Sequence, residues 1–112
     1  MPTQITELPL AQLRPSTTDA TGIYSPATNV IGVIKVIAIC NVTAVATTYR
    51  LFLDIASNDY GEATALGYDH DIAANKTVLW EVYLPMKSAS NFAVQTGTAG
   101  ALTFTIFGYE VK

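Results

Sequence analysis

The stretch VIGVIKVIAICNV, residues 30–42, decides the fold of this chain. It is apolar at nearly every position and carries one charge, Lys35, near its centre. A membrane-spanning helix needs about 20 consecutive apolar residues, which is more than this run provides. Valine and isoleucine dominate the run, and their branched side chains are stiff against a helical turn but fit a pleated sheet. The stretch is therefore predicted to be a long β-strand.

The predicted strand lacks a polar side. Successive side chains of a strand point to opposite faces, and an antiparallel sheet normally turns one face to the core and the other to water. Here both alternating sets are apolar, so we expect a second copy of the chain to cover one of them. The bulkier odd-numbered set is predicted to face the core: Ile31, Val33, Ile37 and Ile39. The even-numbered set, which includes small residues, is then the predicted subunit interface: Val30, Gly32, Ile34, Val36 and Ala38. If Lys35, which belongs to the odd set, marks the outer face instead, the two sets exchange roles.

Further segments alternate as strands do. They are residues 47–55, 77–84 and 102–111, with shorter strands expected at 22–25, 64–72 and 91–96. Turn signals rich in Gly, Pro, Ser and Asn separate them. Seven or eight strands at this spacing predict an all-β fold, an antiparallel β-sandwich of jelly-roll type.

The chain is predicted to divide into an arm and one domain. Residues 23–112 are expected to form the sandwich, and residues 1–22 an N-terminal arm. Within the arm, the segment from Leu8 to Leu13 is bracketed by Pro9 and Pro15. It is predicted to form a short helical turn and to lie on a neighbouring surface.

The low charge of the chain excludes several classes of partner. Charged residues make up only 13% of the sequence and the net charge is −3, whereas ordinary soluble domains contain about 25% charged residues. The 6 basic residues are scattered singly, so no patch is expected to follow a phosphate backbone, and nucleic acid is not a predicted partner. The N-terminus lacks the basic and apolar regions of a secretory signal, and no membrane insertion is expected.

No pattern typical of an enzyme emerges. The single cysteine, Cys40, lies in the apolar run and is predicted to be an inert buried thiol. The densest acidic neighbourhood surrounds the single histidine, His70, and consists of Asp54, Asp59, Glu62, Asp69 and Asp71. The spacing of these carboxylates matches no calcium-binding loop, and solvated loop carboxylates are the more common case. We therefore predict a protein without catalytic residues, metal or cofactor.

Aromatic side chains supply the candidate recognition surface. Four of them are predicted to lie in the core: Trp80, Phe92, Phe104 and Phe107. Tyrosines outside a core favour recognition, including stacking on sugars. The candidate surface recognition residues are Tyr60, Tyr68 and His70.

Three segments resemble small bacteriophage virion proteins. The pattern of these proteins is similar to IYSPATNVIGVIKVIAICNVTAVATTYRLFL, with a turn, a Val/Ile-rich strand that ends in Cys-Asn, and a Thr/Val-rich strand. Their next element resembles IAANKTVLWEVYLPM, although YLPM replaces the usual Gly-Asp-rich turn, and their terminal strand resembles FTIFGYE. The resemblance spans about residues 23–110. It implies a small, often trimeric β-sandwich without catalytic residues, found in tail fibres, head fibres or capsid decorations.

The resulting hypothesis is a homotrimeric tail fibre component of a bacteriophage virion, made in the host cytoplasm and involved in attachment to the host surface. Its expected partners are further copies of the chain, other virion proteins and a host surface glycan. Capsid decoration is the near alternative, and a monomeric carbohydrate-binding module is the alternative from another class. The module should be a monomer with an exposed aromatic platform, whereas the virion component should be a stable oligomer with the strand at 30–42 in its interface.

Overall fold

A computed structural model describes residues 4–112 of the chain. Eight strands and one short 3₁₀ turn (Glu62–Thr64) make up its regular structure. The strands are β1 (Ile5–Leu13), β2 (Thr21–Tyr24), β3 (Ile31–Asn41), β4 (Thr47–Asp54), β5 (Ala65–Ile72), β6 (Thr77–Met86), β7 (Asn91–Thr96) and β8 (Leu102–Val111). Within these described residues no helix is long and apolar enough to cross a membrane.

The strand pairing is that of one long antiparallel hairpin wound into two sheets. β1 pairs with β8, β2 with β7, β3 with β6 and β4 with β5, all antiparallel. Two further antiparallel pairings, of β3 with β8 and of β4 with β7, join these pairs into two sheets. Sheet 1 has the order β1-β8-β3-β6, and sheet 2 has the order β2-β7-β4-β5. Two four-stranded sheets with this winding form a jelly roll, so the predicted antiparallel sandwich is confirmed.

The core lies between the two sheets. Its largest fully buried members include Ile34, Ile37, Phe104 and Ile106 from sheet 1 and Leu51, Ile72, Phe92 and Val94 from sheet 2. Burying one such side chain contributes roughly 1.5–3 kcal/mol. Polar groups at the margin of the core are paired across the sheets. Trp80 Nε1 donates a hydrogen bond to the Tyr49 hydroxyl over 2.8 Å, and the Tyr24 hydroxyl donates to Glu110 Oε2 over 2.7 Å.

A β-bulge at Lys35 reverses the faces of β3. The register shifts between Ile34 and Val36 against both neighbouring strands. A bulge adds one residue to a strand. Residues that face the same side of the sheet are therefore even-numbered on one side of the bulge and odd-numbered on the other. Before the bulge Gly32 and Ile34 face the core, and after it Ile37 and Ile39 do so. The prediction that one parity faces inward along the whole strand is therefore wrong: the inward set is even-numbered first and odd-numbered afterwards.

Gly108 explains how the bulge fits against β8. A Cβ atom at this position would collide with the carbonyl group of Val33. Glycine lacks that atom and permits a close approach of two backbones, which is a common reason for glycine inside a strand. The bulge at Lys35 thus depends on a residue more than seventy positions away in the sequence.

The segment predicted to contain a helical turn is a strand. Ile5–Leu13 forms β1, the edge strand of sheet 1, and pairs with β8. Proline has no N–H group to donate to a sheet and is tolerated on edge strands, which is where Pro9 lies. The register shifts between Pro9 and Ala11. The prediction of a helical turn is wrong. That Leu8–Leu13 also lies on a neighbouring surface, and that residues 1–22 form an arm, stay predictions; residues 1–3 lie outside the described part of the chain.

Candidate assembly surface

The part of the outer side of sheet 2 around Phe52 is covered by the chain itself. Phe52 points away from the core, because its neighbours Leu51 and Leu53 pack into the core, yet it is only 1% exposed. The ring of Tyr60, from the loop between β4 and β5, lies over it with the two ring centroids 6.3 Å apart. The hydroxyl group of Tyr60 reaches Gly22 on β2. We call this arrangement the covered face.

Asp54 holds the loop that carries Tyr60. Its Oδ1 accepts hydrogen bonds from the backbone N–H groups of Ala56 and Ser57, each over 3.0 Å, and its Oδ2 accepts one from Asp59 N over 2.9 Å. These bonds favour the charged carboxylate and lower the pKa of Asp54. Burial, followed by the nearby charge of Asp54, raises the pKa of Tyr60. Asp54, at the end of β4, therefore fixes the first part of the loop, up to Asp59.

The rest of the outer side of sheet 2 combines polar contacts with Leu66 and Tyr68, which are each 41% exposed. The Arg50 side chain donates a hydrogen bond to Asp69 Oδ1 over 2.7 Å, and its guanidinium lies 4.0 Å from the centroid of the Tyr68 ring. The hydrogen bond to Asp69 raises the pKa of Arg50, and the same bond lowers the pKa of Asp69. Gln95 donates from its amide to the Thr18 carbonyl over 2.9 Å, which ties the segment before β2 to this side.

The outer side of sheet 1 carries apolar side chains over which no loop of residues 4–112 lies in this way, and we call it the open face. Three rows of residues cross it from β1 to β6: Glu7, Tyr109, Val33 and Pro85; then Pro9, Phe107, Val36 and Glu81; then Gln12, Thr105, Ala38 and Leu79.

Several large side chains of the open face are accessible. Leu79 is 64% exposed, Tyr83 is 61% exposed and Phe107 is 41% exposed. The prediction that Phe107 lies in the core is wrong, because Ile106 takes the inward position and the next residue of a strand points outward. The Lys35 ammonium group lies 5.2 Å from the centroid of the Tyr83 ring. Desolvation, with a smaller effect from Tyr83, raises the pKa of Tyr109 on the same face.

The predicted interface residues divide between the two sides of sheet 1. Val36 and Ala38 lie on the open face, in the second and third rows. Gly32 and Ile34 point into the sandwich and offer no surface to a neighbouring copy. Val30 precedes β3 and is half-buried. The predicted interface omits Leu79 and Tyr83. Both lie on the side of TVLWEVYL on which polar residues are expected, and large side chains at those positions are the sequence signal for an outward apolar surface.

The predicted recognition residues do not form one platform. Tyr60 belongs to the cover of Phe52, whereas Tyr68 and His70 lie on β5. The His70 ring stacks on Tyr49 with centroids 5.6 Å apart and meets the edge of Trp80 at 5.1 Å. The Tyr68 ring contacts the Arg50 guanidinium, and the His70 ring contacts Tyr49 and Trp80. Both rings are therefore already in contact with side chains of their own chain.

The titratable and nucleophilic side chains do not converge. Among residues 4–112, no group of three His, Cys, Asp or Glu side chains is placed to hold a metal ion. Asp54 is used by its loop, and Asp69 is paired with Arg50. Cys40 is half-buried on β3, level with Thr77 and Thr103, and its predicted inertness stays a prediction.

Comparison with known proteins identifies the fold only. No protein-family profile matches the chain, and no curated protein is significantly similar in sequence. Nine chains of solved structures match it. A chain of the T13 infectious bursal disease virus particle aligns with a TM-score of 0.56 and 10% identity over 97% of this chain. A chain of the Gx strain of the same virus aligns with a TM-score of 0.52 and 10% identity over 99% of this chain. This chain spans only 30% and 32% of those two chains.

Proposed function

We propose that the chain is a structural subunit of a virus particle that assembles with copies of itself through the open face and has no catalytic role. The observation that carries this proposal is the accessible apolar surface on sheet 1, with Leu79, Tyr83 and Phe107 as its largest exposed members. Large apolar patches rimmed by polar groups mark interaction sites on soluble proteins. A subunit that works by assembly needs such a surface and needs no catalytic centre.

The structural neighbours support the same class of function. Two of the solved chains that align with this one belong to infectious bursal disease virus, and one of them to its viral particle. Double-sheet jelly rolls serve as viral capsid domains, but they also serve as lectins and cupins, so fold likeness alone leaves the function open. The likeness and the open face together favour a virion component.

At finer detail, we propose a homotrimer in the tail fibre of a bacteriophage, where it contributes to attachment to the host surface. The sequence motifs in residues 23–110 support this choice, because similar motifs occur in small phage virion proteins. Capsid decoration is the alternative position on the same particle. Both positions require contacts with other virion proteins, and the fibre position adds a host surface glycan as a partner.

Two measurements test this proposal. Sedimentation velocity of the purified chain should give a trimer rather than the 12.0 kDa monomer. Gold-labelled antibodies against the chain should bind purified particles in electron micrographs, at the fibres for a tail fibre component or over the shell for a decoration protein. A monomer together with unlabelled particles would contradict the proposal.

A monomeric carbohydrate-binding module is the second candidate. The observation that favours it is a polar groove on the outer side of sheet 2, lined by Thr18, Thr48, Arg50, Asp69, Gln95 and Gly97. Arg50 also lies over the Tyr68 ring, so aromatic and polar groups meet there. A monomer that binds an immobilised glycan array and loses binding on Arg50→Ala would favour the module over the virion component.

A further inference from the structure

A groove and a ridge occupy opposite margins of the open face. The groove lies beside the irregularity of β1 and is lined by Pro9, Leu10, Ala11, Gln12, Thr105 and Phe107. The ridge lies on β6, at the other edge of sheet 1, and consists of the protruding side chains of Leu79 and Tyr83.

The groove and Leu79 are level with each other along the strands. Gln12 is paired with Thr105, Thr105 with Ala38, and Ala38 with Leu79, so one row joins them across the four strands. Neighbouring strands lie about 4.8 Å apart, which places the two ends of the row about 14 Å from each other. Leu79 therefore cannot enter the groove of its own chain, but the same row in a second copy can supply a ridge to the groove.

The charges of the open face also fit a second copy. Lys35 forms no ion pair within residues 4–112, and neither do Glu7 and Glu81. In a contact between two copies, Lys35 of one copy can pair with an exposed carboxylate, Glu7 or Glu81, of the other. A polyanion would meet the carboxylates, and a purely apolar partner would bury all three charges without compensation.

We infer that the occupant of the open face is a second copy of this chain, whose β6 ridge lies in the groove beside β1. This inference rests on the self-assembly in the proposed function and specifies its geometry. Because the ridge and the groove are different parts of one face, each contact joins the ridge of one copy to the groove of another, either reciprocally across a two-fold axis or head-to-tail. The head-to-tail arrangement is the one that agrees with the proposed trimer, since contacts of that kind close into rings when the rotation permits. A ring of three with sheet 1 turned towards its axis satisfies every ridge and every groove.

Disulfide trapping tests this geometry. Gln12→Cys and Leu79→Cys are combined in a Cys40→Ala background, and the protein is oxidised under native conditions. A disulfide requires Cα atoms within about 7 Å, so the pair cannot close within one chain and closes only between copies seated as inferred. We expect a ladder of covalent dimers and trimers on a denaturing gel. Gln12→Cys alone and Leu79→Cys alone should each give no ladder. Gln12→Cys combined with Val45→Cys should give none either, because Val45 is exposed in a loop at one end of the sandwich.

The outcomes separate this inference from the proposed function. If the parent chain sediments as an oligomer but the Gln12→Cys/Leu79→Cys variant gives no ladder, the ridge-in-groove geometry is wrong and self-assembly stands. If the parent chain is a monomer, the inference and the self-assembly on which it rests are both wrong, whereas a place on the particle is still decided by antibody labelling. Circular dichroism checks that the variant folds, and Thr105→Cys with Leu79→Cys serves as a second pair, since it joins the same groove and ridge.

Discussion

On the outer side of sheet 2 the chain covers the aromatic side chain of Phe52, whereas on the outer side of sheet 1 it leaves Leu79, Tyr83 and Phe107 accessible. Phe52 and Leu79 are both apolar and both point away from the core, yet Phe52 is 1% exposed and Leu79 is 64% exposed. The difference comes from one loop, which Asp54 fixes and from which Tyr60 reaches over Phe52. The two outer surfaces of one fold thus differ at these positions, and the open face presents the larger exposed apolar side chains.

The largest expected effect comes from a charge on the open face. Leu79→Asp should convert the oligomer to a folded monomer, because a carboxylate buried at each contact costs several kcal/mol, about 3–5. Sedimentation velocity measures the change, and circular dichroism shows whether the monomer is folded. Val45→Asp is the matched control, since Val45 is 71% exposed but lies in the loop between β3 and β4. An unchanged oligomer for Leu79→Asp would remove the distinction between the two faces.

Truncation on the covered face should instead weaken the fold. Phe52→Ala leaves a cavity beneath Tyr60 and should lower the free energy of unfolding by about 3–5 kcal/mol. Chemical denaturation measures this loss, and sedimentation below the unfolding range should still give the parent oligomer. Leu79→Ala is the comparison on the open face. If Leu79→Ala lowers the free energy of unfolding of the dissociated chain as much as Phe52→Ala does, the different exposure of residues 52 and 79 has no consequence for stability, which would contradict this account.

Acid should loosen the covered face before the open face. The pKa of Asp54 is lower in the folded chain than in the unfolded chain, so the ionised carboxylate stabilises the fold at neutral pH. This contribution is lost as the pH falls from about 4 through the folded-state pKa. Asp54→Asn should therefore be less stable than the parent at pH 7 and should show a flatter decline in melting temperature below pH 4. Asp59→Asn keeps the backbone N–H that Asp54 binds and is the control; equal slopes for the parent and Asp54→Asn would contradict this role.

The smallest expected effect concerns Lys35. Its ammonium lies over the accessible Tyr83 ring, and cation–π contacts at exposed sites contribute about 0.5–1 kcal/mol. Lys35→Met should lower the free energy of unfolding of the dissociated chain by no more than about 0.5–1 kcal/mol. Chemical denaturation of Leu79→Asp and of the double variant Leu79→Asp/Lys35→Met measures this difference. Lys76→Met, in an exposed turn, should have no effect. A loss of several kcal/mol would mean that Lys35 maintains the bulge itself.

Alternation predicted most strands because it depends on local sequence. β7 (Asn91–Thr96) and β8 (Leu102–Val111) have the predicted bounds, and the unusual apolar character of residues 30–42 correctly indicated a strand. β1 was mistaken for a helical turn because Pro9 suggests a break, and its strand is stabilised by pairing with β8 at the far end of the chain.

The site was harder to predict because it depends on register. The bulge at Lys35 is a register shift against β6 and β8, and the close approach of β8 at Gly108 permits it. The sequence of β3 alone therefore does not reveal where its inward-facing residues change from even-numbered to odd-numbered. As a result, Gly32 and Ile34 were assigned to the interface although they face the core, whereas Val36 and Ala38 do lie on the open face. The covering role of Tyr60 likewise arises from a long-range contact with Phe52.

Hydroxyl-radical footprinting tests most directly whether the open face is covered by another copy. At a concentration where the protein is assembled, we expect Leu79, Tyr83 and Phe107 to be oxidised slowly, and their oxidation rates to rise on dilution or on introducing Leu79→Asp. Val45 and Ile55, which are 71% and 70% exposed in the single chain, should be oxidised at the same rate throughout. Rapid oxidation of Tyr83 and Phe107 at every concentration, equal to that in the dissociated variant, would contradict the account.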